Sequence, residues 1–180
     1  QALLMTTMKS RLYRGETVLG TWCVLPSADA VEAICRAGMD FAIIDLEHGS
    51  HSFETAANMA RAAQVVGASA LIRVPANRQE LVLRALEIGS DGVVVPQIED
   101  ASAAESAVKS IKYFPEGHRG FSPFTRSGGF SAHQVEDLAQ RKNAETLCVV
   151  LVEGVSGIQQ LDRILVTPGI DVIYIGTYDL

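Results

Sequence analysis

The chain has 180 residues, of which 48% are hydrophobic and 20% are charged, a balance typical of globular proteins with ample core material. Its formal net charge of −6 and its lack of clustered lysine and arginine argue against a nucleic acid or an anionic membrane as partner. The start of the chain is too polar for a signal peptide, and no apolar run approaches the length of a membrane span.

From residue 17 onward, apolar runs with strand character alternate with segments of helical periodicity. The predicted elements are strand 17–25, helix 27–39, strand 41–47, helix 52–67, strand 69–75, helix 77–89, strand 91–97, helix 100–114, helix 134–143, strand 146–153, helix 154–166 and strand 170–176. The tract 115–133 is less regular, and a short further strand near 117–123 is one alternative for it. Helix starts are indicated by Ser27 or Asp29, Ser52 and Asp100, and helix ends by Gly38, Gly67 and Gly89.

The predicted strands are continuous apolar runs, which is typical of a parallel sheet covered on both faces. Two α/β architectures have this pattern, a doubly wound open sheet and a (β/α)₈ TIM barrel. No glycine-rich dinucleotide fingerprint follows a strand, so we predict the barrel, as a single domain over residues 1–180. A closed barrel usually needs about 250 residues and eight strands. We therefore expect the chain to lack about two C-terminal units.

The three cysteines, Cys23, Cys35 and Cys148, are far apart and lie within apolar stretches. An odd number with this spacing fits neither a disulfide framework nor a zinc cluster. We predict buried thiols in a protein of a reducing cytoplasm.

Polar side chains occur at the C-terminal ends of nearly all predicted strands. In a barrel these ends converge on the mouth where active sites lie. The residues are Asp45, Glu47, His48, Arg73, Gln97, Glu153, Thr177 and Asp179.

Glu153 and Asp179 follow neighbouring strands and are the two carboxylates best placed to share a cation. Two oxygen ligands without a nearby thiolate suit Mg²⁺, Mn²⁺ or Co²⁺. An equally weighted alternative is that Glu153 caps the following helix and Asp179 lies in a polar turn.

Arg73 lies in an apolar strand, where a charge is costly unless it is paired. It could form a structural ion pair with Asp45 or Glu47, or clamp an anionic substrate, and the acidity of the protein favours the clamp. His48 taken alone is more typical of a hydrogen-bonded structural histidine than of a base.

Several stretches together resemble one family. They are "IIDLEHG" (43–49), "LIRVP" (71–75), "GSDGVVVPQIED" (89–100), "EGHRGF" (116–121), "VEGVSGIQQLDRIL" (152–165) and "IYIGTYDL" (173–180). From about Gly20 on, the chain resembles the metal-dependent class II pyruvate aldolases of the HpcH/HpaI family. These include 2-dehydro-3-deoxyglucarate aldolase and 4-hydroxy-2-oxoheptanedioate aldolase.

The resemblance implies a barrel of the phosphoenolpyruvate/pyruvate type, a divalent cofactor (Mg²⁺, Mn²⁺ or Co²⁺) and a role for each motif residue. It implies Glu153 and Asp179 as metal ligands, Arg73 and His48 as catalytic groups with Arg73 on the pyruvate oxygen, Asp45 as an orienting group, and Glu87 as an acidic partner of the histidine. Glu87 ends a helix at the barrel's opposite side, so it could approach His48 only from another subunit. The chain departs from the family pattern at Leu151, where glutamine is common, and at Thr177 and Tyr178, which touch the expected substrate pocket.

The resulting hypothesis is an aldehyde-lyase that reversibly cleaves a 4-hydroxy-2-oxo acid to pyruvate and an aldehyde through a metal-stabilised enolate. No lysine lies at a strand end, which disfavours a Schiff-base route. The alternatives are a CoA-thioester lyase of the malyl-CoA or citryl-CoA type and a non-catalytic barrel that binds an oxo acid. The expected partners are a small 2-oxo acid and an aldehyde, and the resemblance implies a homo-oligomer, a trimer or hexamer.

Overall fold

The computed structural model of the chain describes residues 7–131, 133 and 136–180. Its core is a six-stranded sheet with helices between successive strands. In chain order the elements are α1 (Met8–Tyr13), β1 (Gly20–Cys23), α2 (Ala28–Arg36), β2 (Phe41–Asp45), α3 (Phe53–Val65), β3 (Ser69–Arg73), α4 (Gln79–Glu87), β4 (Gly92–Val95), α5 (Ala101–Ile111), α6 (Leu138–Glu145), β5 (Leu147–Val152), α7 (Val155–Gln159), α8 (Leu161–Leu165) and β6 (Val172–Ile175).

All strands are parallel and each pairs with the next in sequence, so the order is β1-β2-β3-β4-β5-β6. A doubly wound sheet would reverse its strand order at a switch point. This order therefore confirms the parallel α/β fold and the winding expected of a barrel.

The sheet is strongly curled. In a flat sheet, five strand spacings would separate β1 from β6 by about 24 Å. Instead, Trp22 of β1 donates a hydrogen bond from Nε1 to the Tyr174 hydroxyl of β6 at 3.1 Å, and the ring centroids are 5.4 Å apart. The described residues thus form a half-barrel whose first and last strands are not paired with each other.

The two faces of the sheet have separate cores. Side chains on the concave face, which include Ile43, Leu71, Val94 and Leu151, form one cluster together with Met8 of α1. Those on the convex face pack against the helices in a larger cluster, which includes Ile44, Ile72, Val93, Val150 and Met59. Burial on both faces explains why the strands are continuous apolar runs.

The predicted caps are found in the structure. Ser27, Ser52 and Asp100 each accept a hydrogen bond from the backbone amide three residues further on, as N-cap residues do. Ser27 rather than Asp29 is the cap of α2.

Three parts of the secondary structure differ from the sequence-based prediction. Helix α1 was not predicted, because a helix of six residues depends on tertiary contacts such as the 2.9 Å ion pair between Lys9 and Asp171. The predicted helix 154–166 is divided into α7 and α8 at Gln160. The predicted helix 134–143 begins at Leu138, after a turn at 136–137, while residues 134 and 135 lie outside the described residues.

The irregular tract contributes no strand to the sheet within its described residues, so the alternative strand near 117–123 was wrong. The three cysteines are buried and free, as predicted. Among the described residues, no helix is long and apolar enough to cross a membrane.

Candidate active site

Seven residues at the C-terminal ends of the strands surround a cavity of about 280 Å³. They are Glu47, His48, Gln97, Glu99, Glu153, Gly154 and Asp179. The alternation of side chains along a strand explains part of this set. Glu47 lies four residues after Ile43, and Glu153 two residues after Leu151, so both carboxylates continue the concave face of the sheet.

A larger cavity of about 480 Å³ lies at the opposite ends of the strands, beside Lys9, Asp91 and Arg126. None of the predicted site residues lines it. Active sites of parallel barrels form at the C-terminal strand ends, so we assign the site to the smaller cavity.

Arg73 and Asp45 form a buried ion pair beside this cavity, on paired positions of β3 and β2. Arg73 donates from Nε to Asp45 Oδ1 at 2.8 Å and from Nη2 to Oδ2 at 2.5 Å. Its Nη1 lies 3.1 Å from Glu47 Oε2. The two groups form an ion pair, but their geometry is not that of a hydrogen bond. The structural ion pair is therefore formed, and the role of Arg73 as an anion clamp stays a prediction.

The environment moves the pKa values of Asp45 and Glu47 in opposite directions. Burial alone would raise the pKa of Asp45, but hydrogen bonds from Arg73 and from the amides of Glu47 and His48 outweigh it, and the pKa is lowered. Burial raises the pKa of Glu47, partly offset by Arg73 and reinforced by Glu153. The cluster thus holds Asp45 as a carboxylate and disfavours the charge on Glu47.

We expect Asp45 to make stability depend on pH in the acid range. Because the folded-state pKa of Asp45 is lowered, its contribution is full above the ordinary aspartate pKa of about 3.9 and is lost as pH falls towards the folded value. In urea unfolding, the stability difference between wild type and Asp45→Asn should be constant from about pH 7 to pH 5 and narrow below about pH 4.

The exposed Asp162 of α8 provides the control, since Asp162→Asn should change the free energy of unfolding by less than about 0.5 kcal/mol. A difference between wild type and Asp45→Asn that stays constant down to pH 3 would contradict the lowered pKa.

Trp22 is a site residue that the sequence did not predict. The Arg73 guanidinium stacks over its ring at 4.5 Å from the centroid, and the hydroxyl of Tyr174 accepts a hydrogen bond from the indole. A cation over an aromatic face is a stabilising contact, and it also fixes the plane of the guanidinium. The sequence did show an aromatic residue inside the first strand. It could not show that Trp22 contacts β6, because that contact depends on the curl of the sheet.

Glu153 accepts a hydrogen bond at Oε1 from the backbone amide of Gln97 at 2.9 Å. It does not cap α7, whose N-cap is Gly154 without a side-chain hydrogen bond, so the capping alternative was wrong. Gly176 lies beside Glu153, and a Cβ at that glycine would be 2.9 Å from Glu153 Cβ and 3.4 Å from Oε2. The missing side chain leaves space next to Oε2.

The carboxylates around the cavity are compatible with an oxygen-ligated divalent cation. Glu153 and Asp179 line the same cavity, and Glu47 Oε2 is buried without a hydrogen-bond partner within the described part of the chain. In that same part, no group of three or more histidine, cysteine or acidic side chains is arranged to hold a metal alone. Water and substrate oxygens would have to complete the ligand shell, as Mg²⁺ sites often require.

Comparison with known proteins identifies the family. The family model described as HpcH/HpaI aldolase/citrate lyase matches residues 19–180. The chain belongs to this family. The description names aldolases and citrate lyases, so the chain comes from an enzyme of the aldolase/lyase family.

Among the curated relatives, 2-dehydro-3,6-dideoxy-6-sulfogluconate aldolase of Pseudomonas putida is 35% identical over 169 residues, covering 94% of this chain and 66% of the relative. A family member of known structure from Burkholderia cenocepacia superposes with a TM-score of 0.90 at 33% identity, covering 96% of this chain and 69% of its own. The structure of the citrate synthase SbnG superposes with a TM-score of 0.87 at 30% identity, covering 97% and 66%. The chain spans about two thirds of the length of these three proteins.

The structure brings His48, Glu153 and Asp179 together and places Asp45 and Arg73 beside them, but three other predicted residues lie elsewhere. Glu87 is at the end of α4, where Arg119 donates to it from Nη2 at 2.9 Å. Thr177 and Tyr178 do not line the cavity, and the Tyr178 side chain is fully exposed. The substrate-binding roles of Thr177 and Tyr178 stay predictions for this HpcH/HpaI chain.

Proposed function

We propose that this chain is the catalytic part of a metal-dependent aldolase that reversibly cleaves a 4-hydroxy-2-oxo acid to pyruvate and an aldehyde. The observation that carries the proposal is the cavity where His48 meets Glu153 and Asp179, next to the buried Arg73–Asp45 pair. The aldolase of Pseudomonas putida named above supports it, since its name describes a 2-oxo acid with an intact C4 hydroxyl.

Glu153 and Asp179 would hold a divalent cation, which supplies positive charge to the enolate oxygen that develops during cleavage. Arg73 would add a second positive charge close to that oxygen. Its orientation is already fixed by Asp45 and Trp22, so little reorganisation is needed when charge develops.

His48 would move the proton in this mechanism. Cleavage requires a base for the C4 hydroxyl, and an imidazole is the side chain that most often serves as a general base. Asp45 orients the segment that carries His48, because its Oδ1 accepts from the amides of Glu47 at 3.0 Å and His48 at 3.2 Å.

Glu87 can reach His48 only from a second subunit. Within its own chain it pairs with Arg119 at the far end of α4, away from the cavity. We propose that any catalytic contact of Glu87 is made across the interface of a homo-oligomer.

A second candidate is a lyase or synthase that acts on a larger acid, a CoA thioester or a citrate-type product. The similarity to SbnG, a citrate synthase, favours this candidate. This second function would use the same carboxylate-lined cavity as the aldolase. The two functions would differ in which substrate the walls of the pocket accept.

The two candidates differ in product. The intact protein would be incubated with Mg²⁺ and, separately, with a 4-hydroxy-2-oxo acid, citrate and malyl-CoA. Pyruvate would be measured with lactate dehydrogenase, and loss of citrate or malyl-CoA, with formation of oxaloacetate or glyoxylate, by mass spectrometry. Pyruvate from the 4-hydroxy-2-oxo acid alone is expected. Turnover confined to malyl-CoA or citrate would replace the aldolase with the second candidate.

A further inference from the structure

Gln97 has an unusual backbone conformation at the edge of the cavity. Its φ is +56°, and among the described residues the only other non-glycine residue with positive φ is Phe130. Such a conformation costs free energy for any residue with a Cβ and persists only where surrounding contacts enforce it. The Gln97 side chain is exposed, so burial of its own side chain does not explain the conformation.

The flanking residues hold this turn in place. Pro96 and Ile98 are buried, and the amide of Ile98 donates to the carbonyl of Leu151 at 3.0 Å. Leu151 lies in β5, two residues before Glu153. The turn is therefore fixed to the strand that Glu153 directly follows.

The conformation points the Gln97 amide at Glu153 Oε1, with a hydrogen bond of 2.9 Å. In the part of the chain that the structure describes, this is the only hydrogen bond to the Glu153 side chain. The other carboxylate oxygen of Glu153, Oε2, then lies next to the space left by the missing side chain of Gly176. The side chain of Gln97 also donates from Nε2 to Glu47 Oε1 at 3.3 Å, which connects Glu153 to the cluster around Arg73.

We propose that Gln97 is a positioning residue: its left-handed backbone holds Glu153 through the main-chain amide, and its side chain holds Glu47. The consequence for a bound cation rests on the proposed function, whereas the contact itself does not. The main-chain contact is the dominant one, because it is shorter and does not depend on a mobile side chain.

Two substitutions separate the backbone from the side chain. Gln97→Gly keeps the positive φ and removes the side-chain amide, while Gln97→Val removes the same amide and disfavours positive φ strongly. Mn²⁺ affinity, measured by electron paramagnetic resonance, should fall about 10–100-fold in Gln97→Val, as it does when an outer contact to a metal ligand is lost. In Gln97→Gly it should stay within about threefold of wild type.

Gln140→Val, at an exposed position of α6, is the matched control and should bind Mn²⁺ as wild type does. If Gln97→Val does not fold, Gln97→Ala, which tolerates positive φ better than valine but worse than glycine, takes its place. A folded Gln97→Val or Gln97→Ala variant with wild-type Mn²⁺ affinity would overturn the proposal.

A second readout needs no metal. In the metal-free protein, the amide proton of Gln97 should move upfield in the NMR spectrum on Glu153→Ala, since the hydrogen bond to Oε1 is removed, while the amide proton of Glu105 on α5 should not move. An unchanged Gln97 amide would overturn the proposal. Wild-type protein that binds no Mn²⁺ would refute the metal part of the proposed function, and the amide shift would still decide the role of Gln97.

Discussion

Replacing Arg73 with methionine is expected to lower the free energy of unfolding by about 3–5 kcal/mol. Asp45 is fully buried, and Arg73 is its only cationic partner among the described residues. Without the guanidinium, the Asp45 carboxylate would be buried without a counter-charge. Methionine preserves much of the volume of the side chain, so the loss would report the charge rather than a cavity.

Urea unfolding at pH 7 measures this effect, with Arg36→Met as the control. Arg36 forms an exposed i,i+4 pair with Glu32 at 2.8 Å, and such surface pairs contribute about 0–1 kcal/mol. A loss below about 1 kcal/mol for Arg73→Met would show that the pair is not held as described.

The double variant Arg73→Met with Asp45→Leu completes this test. Removing both members of a buried pair is often neutral or stabilising, by about 1–4 kcal/mol relative to the paired state. We expect the double variant to recover most of the stability that Arg73→Met loses and to have no aldolase activity. A double variant that is stable but inactive would show that the Arg73–Asp45 pair is needed for catalysis and not for folding.

The second large effect is expected at Glu153. Glu153→Gln should lower metal-dependent release of pyruvate more than about 100-fold, because loss of even an outer contact to a metal ligand costs about 10–100-fold. The substitution retains the shape of the side chain and an acceptor for the Gln97 amide, so the fold should be preserved. The lost negative charge at Oε2 accounts for the effect.

Glu99→Gln is the matched control for this substitution. Glu99 lines the same cavity and is exposed, but no role in holding a cation is proposed for it, and its loss should change the rate less than about threefold. The rate of pyruvate release would be measured with lactate dehydrogenase for each variant, after thermal unfolding has shown that both variants are as stable as wild type. Equal rates in Glu153→Gln and wild type would refute Glu153 as a ligand.

Much of the fold was predictable because it depends on local signals. Continuous apolar strands indicated a parallel sheet, and capping residues such as Ser52 and Asp100 gave helix starts that the structure confirms. Helix α1 was not predictable, since it depends on contacts with distant residues such as Asp171. The break at Gln160 was not predicted either. A barrel without its last two units was expected, and the described residues form a curled half-barrel of six strands.

The candidate site was partly predictable for a geometric reason. Parallel strands end at a common edge, so polar residues after each strand had to lie near one another, as His48, Glu153 and Asp179 do. Trp22 and the backbone of Gln97 could not be predicted in their roles. The contacts of Trp22 depend on the curl of the sheet that brings β1 close to β6. The role of Gln97 depends on a positive φ, which glutamine rarely adopts.

The most direct test of the account is release of pyruvate from a 4-hydroxy-2-oxo acid by the intact protein, before and after treatment with a chelator. We expect activity to disappear with the chelator and to return with Mg²⁺, Mn²⁺ or Co²⁺. Activity that persists fully in excess chelator, or a folded protein that releases no pyruvate with any of these metals, would contradict the assignment as a metal-dependent aldolase.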